Sequence, residues 1–337
     1  MNQETFLREL AAGLSKLSEQ ERAQVLDYYR ELIFDGVENG KSEEAVIQDF
    51  GSPRDIAAQI SAEYHTPASA QQPASGTVPP VPPQPVGGMQ TYAARNPVGA
   101  VMISAQNISV QVQPVPDGPV RVLFSPCDSD RITVTEENGV FTFTHMMQHL
   151  LFHWQDLFRG PRSILLQLPV SFHGDISVTT CNSKITAENL REIGSANFTN
   201  NNAHISVTNT ECRTLQLKSS NGSLKLFGVT GEACTAITSN SRISVENSRF
   251  PAQLQLHTSN SSIQVEQSSS DNISMKTANG SISAMLAGDA REYAIHSHTS
   301  NGQNNLPTDW SYPGQTKHLS AVTSNARINV KFTAPAV

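Results

Sequence analysis

Cysteine, aromatic residues and positive charge are all scarce in this chain. Its 337 residues include four cysteines, two tryptophans and 6% aromatic residues. Cys127, Cys181, Cys212 and Cys234 stand far apart with no Cys-x-x-Cys pair, which excludes a zinc knuckle and a thioredoxin-type redox motif. No apolar run is long enough to cross a bilayer, and the N-terminus, MNQETFLREL, lacks the basic start and apolar core of a secretion signal. The expectation is a cytoplasmic chain with reduced thiols and no membrane span, peripheral membrane association being left open. The net charge is −7, and all of it sits in residues 1–66, where six Lys/Arg meet thirteen Asp/Glu (6 − 13 = −7). Without a basic face, nucleic acid is not an expected partner. Reaction motifs are missing too: there is no Gly-x-Ser-x-Gly elbow, no phosphate-binding glycine loop and no His-Glu-x-x-His. Clustered acids of the kind a polysaccharide-cleaving solenoid needs are also missing, although Glu246 and Glu266 fall at matching positions of consecutive units. The sequence therefore predicts a protein that is not an enzyme and carries no cofactor.

What the chain does have is a repeat. From about residue 172 one phrase recurs: Thr or Ser, a small residue, Asn, then Gly, Ser or Ala, then an aliphatic alternation. Its asparagines are Asn182, Asn202, Asn221, Asn240, Asn260, Asn279, Asn301 and Asn325, spaced by 20, 19, 19, 20, 19, 22 and 24 residues. Aliphatic side chains stand three and five residues after each asparagine, as at Ile205 and Val207, and six and four residues before it, as at Leu254 and Leu256. The unit of Asn301 departs from the pattern, with Asn304 and Leu306 instead.

Period-2 alternation on both sides of a turn gives two short strands per unit, each with one buried face. A chain of hairpins would need φ > 0 at two consecutive turn residues and so Asn-Gly throughout, but only Asn221, Asn279 and Asn301 are followed by glycine. A β-solenoid, or β-helix, asks only for a single left-handed residue at the corner, which asparagine tolerates. Equivalent amides then stack as a structural ladder. The predicted fold is mainly β: a single-chain solenoid of about eight coils, each of 19–24 residues. At about 4.8 Å per strand it makes a rod about 38 Å long. No single coil can bury enough to stand alone, so the ends need caps.

Four domains of organisation are expected: a helical module at 1–64, a Pro-rich linker at 65–90, a β region at 91–170 that leads into the solenoid, and the asparagine repeat at 171–332. In the module, Phe6, Leu7, Leu10, Leu14 and Leu17 line a first helix, and Ser18 to Glu21 make a capping box for a second. Ser42 opens a third helix, which Gly51 closes, and Ser52 with Pro53 begins a fourth. The run VPPVPPQPVGG marks the linker as an extended tether.

The residues NQETFLREL, SEQERAQVLDYYRELI and GKSEEAVIQDFGSPRDIAAQI resemble the bacterial HAAS domain, domain-of-unknown-function family 1700. That resemblance implies a signalling or partner-docking role, its members being associated with PadR-like regulators and often followed by membrane spans. The phrases ILLQLP, TSNSRISV, TSNSSIQV and TANGSISA resemble a second bacterial family, the adhesin-named repeat family 4097 of unknown function. It implies a β-solenoid over roughly residues 100–332.

The segment HMMQHLLFHWQDLFR, over 145–159, has helical spacing. It predicts an inserted helix that covers a side or end of the solenoid, or that docks a partner through Met146, Leu150, Trp154 and Phe158. His145, His149 and His153 would share one face of it, the spacing of weak metal-ligand candidates. The functional expectation is an interaction or scaffold protein whose acidic module docks a protein partner, a regulator or membrane complex, while the solenoid presents a polar β face. The alternative class is carbohydrate handling, either adhesin-like glycan binding or polysaccharide cleavage, which would call for aromatic platforms and paired acids.

Overall fold

A computed structural model describes residues 1–15, 17–19, 22, 23, 25, 26, 29, 30, 33, 42–64, 89–127, 130–147 and 162–333. They fall into two compact units. The first contains the helices α1 (Gln3–Gly13), α2 (Glu43–Phe50) and α3 (Pro53–Tyr64). Each start has a sequence cause: the Asn2 side-chain Oδ1 accepts from the Thr5 N–H at 3.0 Å, and the Ser42 hydroxyl accepts from the Ala45 N–H at 3.3 Å. Gly51, at φ +86°, stops α2. Gly13 is where α1 meets α3, since a Cβ there would lie 2.4 Å from the Ala57 Cβ. Phe6, Tyr29 and Phe50 close the core as a triad of rings with centroids 5.5–5.7 Å apart. The expected second helix lies outside the described residues as a continuous span, although its positions Val25 and Ile33 are buried with the others.

The second unit is built of two facing sheets. One runs, edge to edge, β1 (Gln90–Ala93), β4 (Arg121–Phe124), β7 (Ser163–Pro169), β3 (Ser109–Val115), β9 (Ile185–Glu188), β11 (Ile205–Thr208), β13 (Leu224–Phe227), β15 (Ile243–Glu246), β17 (Ile263–Ser268), β19 (Ile282–Ala287) and β23 (Ile328–Thr333). The other runs β21 (Asp309–Trp310), β20 (Tyr293–Thr299), β22 (Lys317–Thr323), β18 (Asn272–Lys276), β16 (Gln253–His257), β14 (Ala233–Ile237), β12 (Cys212–Ser219), β10 (Ile193–Asn200), β8 (Asp175–Thr180), β2 (Ala100–Ala105), β6 (Val140–Met147) and β5 (Asp130–Glu137). Every pairing between repeat units is parallel, with no slip except one bulge between Glu266 and Ser268. Successive units therefore lie on top of one another and do not form hairpins. The period-2 aliphatics, from Ile176 and Val178 through Ile328 and Val330, make one continuous buried core between the sheets.

The corner phrase has a physical reason at each position. Its first residue is a buried side chain, Asn200 in one unit and Thr or Ser in the others, that donates to carbonyls of the neighbouring unit: Thr238 to Gly222 O at 3.1 Å, Thr258 to Ser241 O at 3.1 Å, Thr277 to Ser261 O at 3.0 Å and Thr323 to Gly280 O at 3.0 Å. These bonds satisfy backbone acceptors that the turn removes from the ladder. At Gly222, Gly280 and Gly302 a Cβ would come within 1.7–1.9 Å of a carbonyl oxygen in the adjacent unit, so these corners require glycine for close approach.

Three expectations need correction. The left-handed residues are not the ladder asparagines, of which only Asn107, unnoticed in the sequence, has positive φ (54°). The left-handed column stands at the next corner, directly after β9, β11, β13, β15 and β19 and at the bulge within β17: Asn189, Asn209, Gly228, Asn247, Gly288 and Gln267. The order of the last units is also reversed. Strand β22 pairs with β18, and β20 lies outside β22, so the unit of Asn325 stacks before that of Asn301. At the other end β6 and β7 lie outside the earlier β2 and β3. Finally, no helix begins at His145. Residues 145–147 continue β6, because alternate side chains Phe141, Phe143 and His145 are buried against the core while Met146 faces out. The rest of the expected helix lies outside the described residues.

Among the described strands, antiparallel pairing occurs only at the ends of the stack: β1 with β4, β4 with β7, β5 with β6, and β21 with β20. Strand β23 is covered differently. The Asn305 side chain donates to Val330 O at 2.7 Å and accepts from Val330 N at 2.9 Å, acting as a one-residue strand. These devices close edges that would otherwise template further strands.

Candidate functional site

The recurring asparagines form a single hydrogen-bonded column. Each Nδ2 donates to the next Oδ1: Asn182 to Asn107 (2.8 Å), Asn202 to Asn182 (2.6 Å), Asn221 to Asn202 (2.7 Å), Asn240 to Asn221 (2.6 Å), Asn260 to Asn240 (2.7 Å), Asn279 to Asn260 (2.8 Å), Asn325 to Asn279 (2.7 Å) and Asn301 to Asn325 (2.8 Å). The amides are spent on one another, which makes the column a register lock and not a set of free contacts. Asn107 heads it, and the sequence does carry its signal: Val110 and Val112 follow at three and five residues, and Val101 and Ile103 precede at six and four. An insertion between Asn107 and Asn182 hides the period.

Of the histidine candidates, His145 is fully buried and its Nε2 lies 2.8 Å from Asp130 Oδ1. His149 and His153, like Leu150, Trp154 and Phe158, lie outside the described residues. Burial opposes ionisation of Asp130, but hydrogen bonds from His145, the Cys127 N–H and Arg162 outweigh it and hold the carboxyl well below the usual carboxylate range. Arg162 also contacts Cys127 Sγ at 3.0 Å and lies over the Phe124 ring at 5.7 Å. This cluster ties β5, β6 and β7 together, and among the described residues no group of three or more side chains is arranged to hold a metal. Glu246 and Glu266 are adjacent in register, each accepting a hydrogen bond from its own strand, from Ser244 at 3.0 Å and from Gln264 at 2.6 Å.

Among the described residues two surface grooves lie along the repeat, and a third, of about 560 Å³, lies between β1 and β5. A shallow one of about 820 Å³ runs along the corner that leads into β8, β10, β12 and β14, lined by charges of both signs including Glu192, Glu211, Arg213, Glu232 and Arg249. The other, of about 430 Å³, lies on the outer face of the second sheet near its edge strand β21. Its floor is a register of outward side chains: Asn272 beside His318, and Ser274 beside Ser320 and His296. Trp310 lies opposite the inward Ile295, is half-buried against the core, and packs edge-on against Tyr312 with centroids 5.3 Å apart. Asp309 Oδ1 meets His296 Nδ1 at 2.7 Å. The unit that breaks the repeat thus makes the groove. Sequence reasoning missed it because His296, Asp309 and His318 have no common spacing and meet only through the reversed order of the last strands.

The two sheets, stacked in parallel and closed at the ends by antiparallel strands, define a β-solenoid. The chain belongs to the Toastrack DUF4097 family, whose model matches residues 102–333, and residues 5–59 match the HAAS family model. No curated protein matches. Similar solved structures include a "putative cell adhesion protein" from Clostridium sporogenes, at 11% identity and TM-score 0.26, covering 73% of this chain and 100% of that one. Two proteins titled "putative adhesin" are also similar. The one from Bacteroides fragilis has 14% identity and TM-score 0.38 over 73% of this chain and 96% of its own. The one from Parabacteroides merdae has 9% identity and TM-score 0.34 over 74% and 95%. Among the described residues no helix is long and apolar enough to cross a membrane.

Proposed function

We propose that this chain is a non-enzymatic interaction protein of bacterial signalling or envelope regulation, working in two parts. Residues 1–64, as a four-helix module on the tether of 65–90, dock a protein partner, and the solenoid presents a binding surface. The observation that carries the reading is the register lock. Because the asparagine column fixes one unit over the next, the outward side chains Ser177, Asn197, Gln216, Thr235, Gln255 and Ser274 stand in one aligned row. A surface held at about 4.8 Å per strand loses little conformational freedom on binding. For the module, the HAAS match and the exposed acids Glu4, Glu44 and Asp55 support a partner with a basic face.

The test is capture of proteins from a bacterial extract by the full chain and by a full chain carrying Glu4→Lys, Glu44→Lys and Asp55→Lys. A protein retained by the first and lost by the second is the expected outcome. Equal retention by both would remove the acidic face as the docking surface.

A further inference from the structure

We propose that β5 is a self-association edge, through which two copies of this chain pair antiparallel about a two-fold axis and join their second sheets into one. The proposal goes beyond the two-part reading and does not depend on the module's partner. An antiparallel end strand covers the strand inside it but exposes an edge of its own. The four outer edges differ in what they expose. Strand β21 has two residues, β1 has four, and β23 is met by the Asn305 side chain. Strand β5 has eight, in unbroken register with β6 from Asp130 opposite Met147 to Glu137 opposite Val140. It carries no proline, lysine or bulge, and its middle, Ile132 to Thr135, is β-branched throughout. Its inner face is only partly covered: Val134 lies opposite the inward Phe143 yet is 37% exposed, and it lines the cavity of about 560 Å³ together with Tyr92 and Phe141.

The hairpin fixes which backbone groups are free. Asn138 and Gly139, at φ +51° and +75°, make a two-residue turn, so the flanking Glu137 and Val140 are a hydrogen-bonded pair and bonding alternates from there. Arg131, Thr133 and Thr135 therefore spend their backbone groups on β6. Ile132, Val134 and Glu136 turn theirs to the open edge, where among the described residues no backbone group meets them. A two-fold axis perpendicular to the sheet at Val134 pairs these groups with one another: Val134 meets its own counterpart, and Ile132 of each copy meets Glu136 of the other. About six N–H···O bonds are exchanged. The same register sets Arg131 of each copy opposite Glu137 of the other; both are exposed, and among the described residues neither has an ion-pair partner in its own chain. Glu136 accepts from the Arg95 and Asn96 N–H groups at 2.8 and 3.0 Å, so its charge is met within its own copy where it faces Ile132. Other registers are worse. A slide of two residues puts Asp130 opposite Glu136, or Val134 opposite Glu136 with Arg131 against Gly139; a slide of one turns the inner face of one copy outward.

The experiment is sedimentation equilibrium of the purified full chain over a dilution series from about 100 μM, a range suited to a small interface. An apparent mass approaching twice 36.5 kDa at the top of the series, falling on dilution, is expected. Val134→Pro removes an N–H that faces the free edge and none that bonds β6, so this variant should sediment as a monomer with its β-sheet circular dichroism retained. Arg131→Glu and Glu137→Arg each set like charges opposite one another, twice per dimer, and each should weaken association by about fivefold or more. The second does so although it makes the chain less acidic. The two together recreate the opposite-charge pairs and should restore association. The proposal is overturned by a wild-type monomer throughout the series, which would leave the edge to a strand of a different protein. It is equally overturned if association persists in a folded Val134→Pro variant, or if the double charge exchange associates no better than either single one. Should the proline variant fail to fold, the charge exchange decides alone. Every readout is the mass of the purified chain, so capture of a partner by the acidic module succeeds or fails separately.

Discussion

Asn240 is an interior rung of the amide column, and its removal has a calculable cost. Asn240→Ala deletes one bond donated to Asn221 at 2.6 Å and one accepted from Asn260 at 2.7 Å. A net hydrogen bond is worth about 0.5–1.5 kcal/mol, and rungs exposed to water belong at the lower end because the orphaned partners are rehydrated. The expected loss is about 1–2 kcal/mol, which for a unit of this size lowers Tm by about 2–8 °C. Asn301 is a terminal rung with a single column bond, to Asn325. Its replacement by alanine should therefore cost roughly half as much. Urea unfolding of the full chain, followed by the β-sheet circular dichroism signal, gives both values. A double-mutant cycle sharpens the test: Asn240 and Asn260 share a bond, so their alanine variants should fall short of additivity by about one hydrogen bond, whereas Asn240 and Asn301 should add. If interior and terminal rungs cost the same, or if the adjacent pair is additive, the column is decoration and the register lock is wrong.

Three further outcomes follow from packing and charge. Gly222→Ala places a methyl group 1.7 Å from Ala203 O and should lower the urea midpoint by the equivalent of about 1–3 kcal/mol, where Ser241→Ala at the equivalent corner loses only the exposed bond its hydroxyl donates to Asn221 O and should cost about 0.5 kcal/mol. Asp130→Asn removes the buried negative charge that His145, the Cys127 N–H and Arg162 all meet and should cost about 3–5 kcal/mol near pH 7. Since the folded carboxyl titrates below its unfolded value of about 3.9, its contribution is fully present above that pH and declines as pH falls below it, so wild type and variant should converge in acid. Burial pushes the Cys212 thiol up to about 12 and raises Cys234 as well. Native protein should therefore label at the half-buried Cys181 while Cys212 and Cys234 stay protected until urea is added; rapid native labelling of Cys234 would contradict the packed core.

The parts of this fold that were legible in the sequence are those that repeat in one dimension. Buried pairs such as Ile243 and Val245 announce a strand by period, and the small residues after each asparagine disfavour hairpins. What was illegible depends on topology. The helical spacing from His145 is real, yet the first three residues extend β6, because a strand already burying Phe141 and Phe143 gains more by burying His145 against Asp130 and Phe124 than by turning. Propensity gives way to a tertiary partner. The left-handed column was invisible because Asn189, Gly228 and Gln267 have no residue type in common; what they share is a corner. The groove was hidden for a related reason: Trp310 belongs to no repeat, and its neighbours come from strands whose spatial order differs from their order in the chain.

That transposition has a consequence for how the molecule is made. Strand β22 enters the sheet between two strands synthesised before it, β18 and β20. Growth from the ribosome cannot finish the stack by simple end-to-end addition, as an ordinary solenoid could. A nascent chain released before residue 317 would lack the strand that joins β20 to β18, leaving β20 and the edge strand β21 without their support. Assembly of that end must wait for the last strands to slide home, so the groove beside β21 is among the final features of the molecule to come into being.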